Sequence, residues 1–242
     1  MQLSVVVPVR NEAENILPLI SEISAALEGR LDYEVVYVDD GSSDATAARL
    51  ADAMKQYPRL RVLRHLTSCG QSAALMTGVR AARGEWIATL DGDGQNDPAD
   101  IPKLIEARAQ KNVALVAGYR KKRQDSPLKK ISSRIANGVR SALLGDSTPD
   151  TGCGLKLIAR ATYLELPFFD HMHRFLPALV QRAGGATLVV EVNHRPRTRG
   201  RSNYGTLDRL WVGIVDLFGV MWLKRRAARP DAREVTREAK RA

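Results

Sequence analysis

Glu34-Val35-Val36-Tyr37-Val38-Asp39-Asp40-Gly41-Ser42-Ser43-Asp44 (residues 34–44) changes character twice in a short span. An apolar, β-branched run gives way to two adjacent acids, then to an Asp-Gly turn and residues that favour helix starts. Glu34 to Val38 therefore reads as a strand and Ala45 to Tyr57 as a helix. The same order recurs on both sides. Ser4 to Val7 is a strand that leads through Pro8-Val9-Arg10-Asn11-Glu12 into residues 13–27, where Ile16, Leu19, Ile20, Ile23 and Leu27 fall at helical spacing. Leu60 to Leu63 precedes a helix over 71–83, and Trp86 to Leu90 runs into Asp91-Gly92-Asp93-Gly94-Gln95. Val113 to Ala117 and Ala186 to Val192 are further strands. Apolar strands separated by helix-length segments predict an α/β fold, a mostly parallel central sheet flanked by helices in the Rossmann manner. Ligands of such sheets sit at the carboxyl ends of the strands, and three acidic clusters fall there.

Each cluster has a local reading and a functional one. Asn11 with Glu14 three residues on forms a capping box, which is compatible with Glu12 facing a ligand. Ser43 is placed to cap the second helix, yet a turn accounts for one of Asp39 and Asp40, not for both. A carboxylate there is an acceptor suited to a nucleobase N–H or a ribose hydroxyl. Asp91 and Asp93 are two residues apart, so in extended chain they point the same way. Crowded oxygen ligands of this kind suit Mg2+ or Mn2+ with substrate phosphates, the alternative being a hairpin turn. A calcium loop is excluded, because Asn96 and Pro102 occupy the positions that need Gly and Glu. Neither a G-x-G-x-x-G nor a G-x-x-x-x-G-K-[ST] loop is present.

The chain has 242 residues with 44% hydrophobic and 26% charged, which excludes wholesale disorder and matches one α/β domain of ordinary size, or one domain with a small appendage. Cys69 and Cys153 cannot form a disulfide framework or a four-thiolate zinc site. A net charge of +10 predicts attraction to polyanions. Aromatic residues are only 5%, too few to interleave with cations for base stacking, so no nucleic-acid partner is expected. No stretch reaches the ~18 apolar residues of a membrane-spanning helix, and Leu3 to Val9 is too short for a secretory signal, which predicts a cytoplasmic chain.

Taken together, these clusters resemble the signatures of family 2 glycosyltransferases of the GT-A fold, and within them the dolichyl- or polyprenyl-phosphate sugar transferases. The likeness covers about residues 2–223. It includes Gly118-Tyr119-Arg120, Asp150-Thr151-Gly152-Cys153-Gly154-Leu155-Lys156, His173-Arg174-Phe175 and Arg199-Gly200-Arg201-Ser202-Asn203-Tyr204. The resemblance implies that Pro8, Val9, Glu12, Asp39, Asp40, Asp91, Gly92, Arg199 and Ser202 bind the nucleotide sugar. It implies that Asp91 and Asp93 are the D-x-D pair holding Mg2+ or Mn2+, with Gln95 as a further ligand. Arg120 and Arg134 are implied to act in catalysis on the acceptor phosphate, with Ser202 and Tyr204 beside them. Asn203 stands where that loop usually carries lysine, and Arg199 and Arg201 are the cations at hand to replace it.

The chemistry implied is inverting transfer from a UDP- or GDP-sugar to a polyprenyl phosphate. A hydroxyl acceptor needs a general base, whereas a phosphate monoester, with a second pKa of about 6, is already largely a dianion at neutral pH. The region 120–140 holds eight basic residues against Asp125 alone, which favours phosphate. The competing reading is a soluble family 2 transferase acting on a glycan or glycolipid hydroxyl, with Asp150 as a candidate base or a structural acid. The organisation expected is a GT-A domain over 1–205, with a nucleotide-sugar half over 1–118 and an acceptor half over 119–205. An apolar interfacial helix over 206–226 and a basic tail over 227–242 follow. Between Leu207 and Trp222 only Asp208, Arg209 and Asp216 are polar, and the segment from Lys224 carries eight cations against three acids. That pattern predicts peripheral attachment to the inner face of an anionic plasma membrane, or to an integral-membrane partner.

Overall fold

In the computed structural model, residues 1–109, 113–121, 138–146, 148–196 and 206–228 are described, the first six residues of the last segment by backbone alone. Seven strands form one sheet: β1 (Leu3–Val9), β2 (Tyr33–Asp39), β3 (Leu60–Arg64), β4 (Trp86–Thr89), β5 (Val113–Tyr119), β6 (Lys156–Ala159) and β7 (Ala186–Glu191). Their order is β3-β2-β1-β4-β6-β5-β7, parallel except where β6 runs against β4 and β5. The sheet is thus mostly parallel, as its alternating sequence predicts.

Alternation of side chains across each strand builds two cores. Leu3, Val5, Val7 and Val9 of β1 pack on one face with Leu19, Ile20 and Ile23 of α1 (Ile16–Leu27) and Leu50 of α2 (Thr46–Gln56). Val6 of β1 and Val36 and Val38 of β2 face the other way. They meet Ala74, Leu75 and Val79 of α3 (Gln71–Ala81). Every apolar position expected of the first helix is buried. Gly78 is required for this layer, because a Cβ there would lie 2.4 Å from the Val6 side chain.

The structure departs locally from the sequence reading. Asn11 does not cap a helix; its φ is +56°, and its Oδ1 accepts from the Ser43 backbone N–H at 2.9 Å. Helix α1 starts at Ile16, after a turn over residues 13–15. Asp44, not Ser43, receives the Thr46 N–H at the start of α2. Strand β6 went unpredicted because it is four residues long and opens on a buried lysine. Helix α4 (Ile101–Ala107), the helical residues 138–144 (α5), α6 (Arg160–Glu165) and α7 (Leu176–Arg182) complete the packing before the last helix.

That last helix, α8 (Thr206–Arg225), is continuous for 20 residues, about 30 Å long. Val220 is fully buried, and Leu217, Met221 and Leu223 rest on the second core. The Arg182 guanidinium donates to the Leu223 carbonyl, and the Lys224 ammonium to the Leu144 carbonyl. Outward, Val215, Phe218 and Trp222 are more than half exposed. No helix among the described residues is long and apolar enough to cross a membrane.

Candidate active site

The parallel register carries the acidic clusters to one edge. Val9 pairs with Asp39, and Asp39 with Arg64, so the ends of β1, β2 and β3 are level. Gly92 nests against the end of β1, where a Cβ would lie 2.4 Å from Val9 and 3.1 Å from the Pro8 carbonyl. Pro8, Val9, Asp39, Asp40, Asp91 and Gly92 are therefore neighbours. Glu12 is buried beside them: its backbone N–H donates to Thr46 Oγ1, and its carboxylate accepts from Asn15 Nδ2 at 2.6 Å. A cleft of about 480 Å3, bordered by Asn11, Glu12, Asn15 and Asp44, opens alongside, within the range of small-ligand sites.

Asp39 and Asp40 have different surroundings. Asp40 Oδ1 accepts from Cys69 N at 2.8 Å and faces His65 Nδ1 at 2.7 Å, while its Oδ2 accepts from Ser68 Oγ and Gly70 N. Burial alone would raise its pKa; those hydrogen bonds outweigh it and hold the carboxyl below its ordinary range. Asp40 is thus the clamp of the 65–70 loop. Asp39 Oδ1 accepts from Ser42 N, but Oδ2 is buried without a hydrogen bond, with Arg64 Nε at 3.3 Å. Of the two acids, Asp39 is the one with an acceptor to offer a ligand.

The Asp91 to Gln95 turn is held from several sides. Asn96, itself buried, accepts from the Asp91 backbone N–H, and Asp93 Oδ1 accepts from Gln95 N at 3.1 Å. The Gln95 amide donates to the Arg195 carbonyl at 3.4 Å, so its Oε1 is the atom left for a metal. Gln71, the first residue of α3, donates to Asp91 Oδ1 at 2.8 Å. A small cavity beneath is walled by Asp91, Lys156, His173 and Gly154. The Asp91 carboxyl is pushed up to about 6, chiefly by burial and then by the Asp93 charge, against the pull of Lys156, Arg120 and Gln71. Two neighbouring carboxylates, one of them withdrawn from water, are a donor set that fits Mg2+ or Mn2+. Protons compete with the cation there. In metal-free protein, apparent Mn2+ affinity is expected to be level above about pH 7 and to fall toward tenfold per unit below pH 6, measured by calorimetric titration. The sign for folding is opposite: with its pKa raised above the ordinary value, Asp91 makes the metal-free fold lose stability as pH rises toward 6.

On the far side of β6, Arg120 donates from Nε to Asp150 Oδ2 at 2.7 Å and from Nη2 to Oδ1 at 2.9 Å, a bidentate pair largely removed from solvent. Asp150 is thereby a structural acid, not a poised base. Lys156 is buried and donates to the Thr151 and Cys153 carbonyls; burial lowers its pKa, and Cys153, Asp91 and Asp150 pull it back up. The Cys153 thiol is raised by burial, which keeps it protonated and unreactive. His173 Nδ1 sits 2.7 Å from Ser72 Oγ, and burial first, then the Lys156, Arg174 and His171 charges, hold its pKa well below the usual value. It is a neutral packing residue of the floor. Arg134, Arg199, Ser202 and Tyr204 lie outside the described residues. Gln71 is a site residue that no quoted motif contains, its position just past the third strand being the available signal, while Asn96, Gly154 and Lys156 lie in quoted stretches with no contact to Asp91 or its cavity expected of them.

A family model, glycosyl transferase family 2, matches residues 4–167. Dodecaprenyl-phosphate galacturonate synthase of Rhizobium johnstonii is 38% identical over 238 residues, which are 95% of this chain and 69% of that protein. Undecaprenyl-phosphate 4-deoxy-4-formamido-L-arabinose transferase of Edwardsiella ictaluri is 36% identical over 207 residues, 84% of this chain and 63% of that one. The chain thus spans about two thirds of the length of these relatives. Glucosyl-3-phosphoglycerate synthase of Mycobacterium tuberculosis, crystallised with Mn2+, uridine diphosphate and glucosyl-3-phosphoglycerate, superposes with a TM-score of 0.71. Its identity is 21%, with 96% of this chain and 81% of that one covered, so it attests the fold. The sheet and its acidic edge are those of a GT-A-like sugar transferase. The chain belongs to glycosyl transferase family 2.

Proposed function

We propose that the protein moves a sugar from a nucleoside diphosphate to a polyprenyl phosphate, with inversion, at the inner face of the plasma membrane. The observation that carries the reading is the Asp91–Asp93 pair at the end of β4, with the Asp91 carboxyl raised first by burial and then by the Asp93 charge, facing Arg120 across β6. Mg2+ or Mn2+ bound by Asp91 and Asp93, with Gln95, would offset the charge that builds on the departing diphosphate. The bond from the anomeric carbon to the diphosphate breaks as a phosphate oxygen of the acceptor forms the new one. Asp39, whose Oδ2 has Arg64 as ion-pair partner but accepts no hydrogen bond, suits a base N–H or ribose hydroxyl, and Glu12 borders the nearby cleft. The lock of Asp150 on Arg120 argues against a hydroxyl acceptor, which would need a base. Arg120, and Arg134 with the 199–204 loop, would bring positive charge to the acceptor phosphate. The names of the relatives, which act on dodecaprenyl and undecaprenyl phosphates, support the same acceptor class.

The test incubates purified protein with undecaprenyl phosphate, Mg2+ or Mn2+, and a panel of UDP- and GDP-sugars. A lipid-linked monosaccharide is expected from one donor; products on hydroxyl acceptors alone would overturn the reading. For α8 the exposed Phe218 and Trp222, followed by Lys224, Arg225 and Arg226, support a seat in the lipid interface. Phe218→Ser with Trp222→Ser is expected to lower binding to anionic vesicles by at least about tenfold. Flotation checks this, and unchanged flotation would assign α8 to another role.

A further inference from the structure

Next to the nucleotide cleft, the 65–70 loop brings together three side chains that the sugar-transfer chemistry does not use as a set. Atoms of the Asp40 carboxylate, the His65 imidazole and the Cys69 thiol all lie within 4.8 Å of one another. We infer that this trio is a site for a thiophilic divalent cation of the Zn2+ class, separate from the oxygen-donor pair at Asp91 and Asp93.

The donor set argues first. Thiolate, imidazole and carboxylate are the zinc ligands of proteins, and three of them leave a fourth position for water. The surroundings argue second. His65 Nε2 is 2.9 Å from Thr77 Oγ1, the kind of outer partner that fixes a ligating imidazole, and this leaves Nδ1 turned to Asp40 at 2.7 Å. Asp40 is itself oriented by Ser68 Oγ, Cys69 N and Gly70 N. The entry path is open, because Cys69 is exposed and Leu66 beside it is 99% exposed. Donor atoms of one tetrahedral zinc site are about 3.3–3.7 Å apart. The loop therefore has to close by about 1 Å, with the thiol leaving its 3.4 Å contact to the Thr67 carbonyl. In charge terms, the cation replaces one proton, released to solvent from the Cys69 thiol, while the single N–H of the neutral imidazole sits on Nε2 and donates to Thr77 Oγ1.

Co2+ is the probe, because thiolate ligation gives it an intense near-ultraviolet charge-transfer band that an oxygen-only site cannot give. The intact protein is titrated with Co2+ and then with Zn2+ in competition. One equivalent is expected to produce the band, in wild type and in Asp93→Asn alike, and Zn2+ is expected to abolish it. Cys69→Ser, an exposed and conservative change, should remove the band, and Thr77→Val should weaken Co2+ binding about tenfold or more. Cys153 is fully buried and cannot substitute. No band in wild type, or a band undiminished in Cys69→Ser, would overturn the assignment. Since the readout is spectroscopic, failure here is distinct from failure of the transferase reading.

Discussion

Asp93→Asn is expected to lower kcat/KM for sugar transfer by about a thousandfold or more, roughly 4 kcal/mol of transition-state stabilisation, with the fold unchanged. The argument is local. Asp93 is partly exposed, and its Oδ1 accepts the Gln95 N–H. Asparagine keeps that acceptor, so the turn survives. What it removes is a negative charge from a pair whose purpose is to gather it. Relief of the like-charge contact should also return the Asp91 carboxyl toward its ordinary value. The variant is to be assayed for lipid-linked product and for Mn2+ affinity, beside a thermal melt. Wild-type turnover with a wild-type melt would remove the metal role of this pair.

The second large effect is expected from a residue with no chemistry at all. A Cβ built on Gly154 would lie 2.3–2.6 Å from three atoms of the Asp91 carboxylate. Gly154→Ala must therefore push Asp91 away from Gln71 and out of line with Asp93. Activity should fall at least about a hundredfold while stability falls by about 1–3 kcal/mol, the cost of overpacking. Gly152→Ala is the control. Its Cβ would meet an Arg120 guanidinium nitrogen at 3.3 Å, the far end of a flexible side chain. Because Gly152→Ala loads the Arg120–Asp150 pair instead, Mn2+ affinity separates the two, and an affinity loss in Gly154→Ala no greater than in Gly152→Ala would refute a specific fit of Gly154 to Asp91.

The first half of the fold was legible because its strands are long, β-branched and buried on both faces, as β1 and β2 show. The Asp91–Asp93 pair was legible for a related reason: period-two spacing at a strand end needs no tertiary knowledge. Asp40 shows where such reading stops. As one of two adjacent acids it looks equivalent to Asp39, and only the return of the 65–70 loop commits it to four partners. Gln71 and Gly154 reach Asp91 from two other segments, and no local pattern announces contacts made across 20 and 63 positions, whereas Asn96 closes the same turn from five positions on. The early helix start expected at Asn11 failed because its side chain caps the neighbouring 42–44 turn instead.

Strand β6 runs against both of its neighbours, so β4 and β5 point the same way with one strand between them. Two strand spacings amount to about 10 Å. Asp91, just past β4, and Arg120, just past β5, are therefore held at an interval that backbone hydrogen bonding dictates. On the roles proposed for these residues, the sheet is a gauge that sets the gap between an anionic grip and a cationic one. Among the described residues, no hinge has to swing these two positions into range.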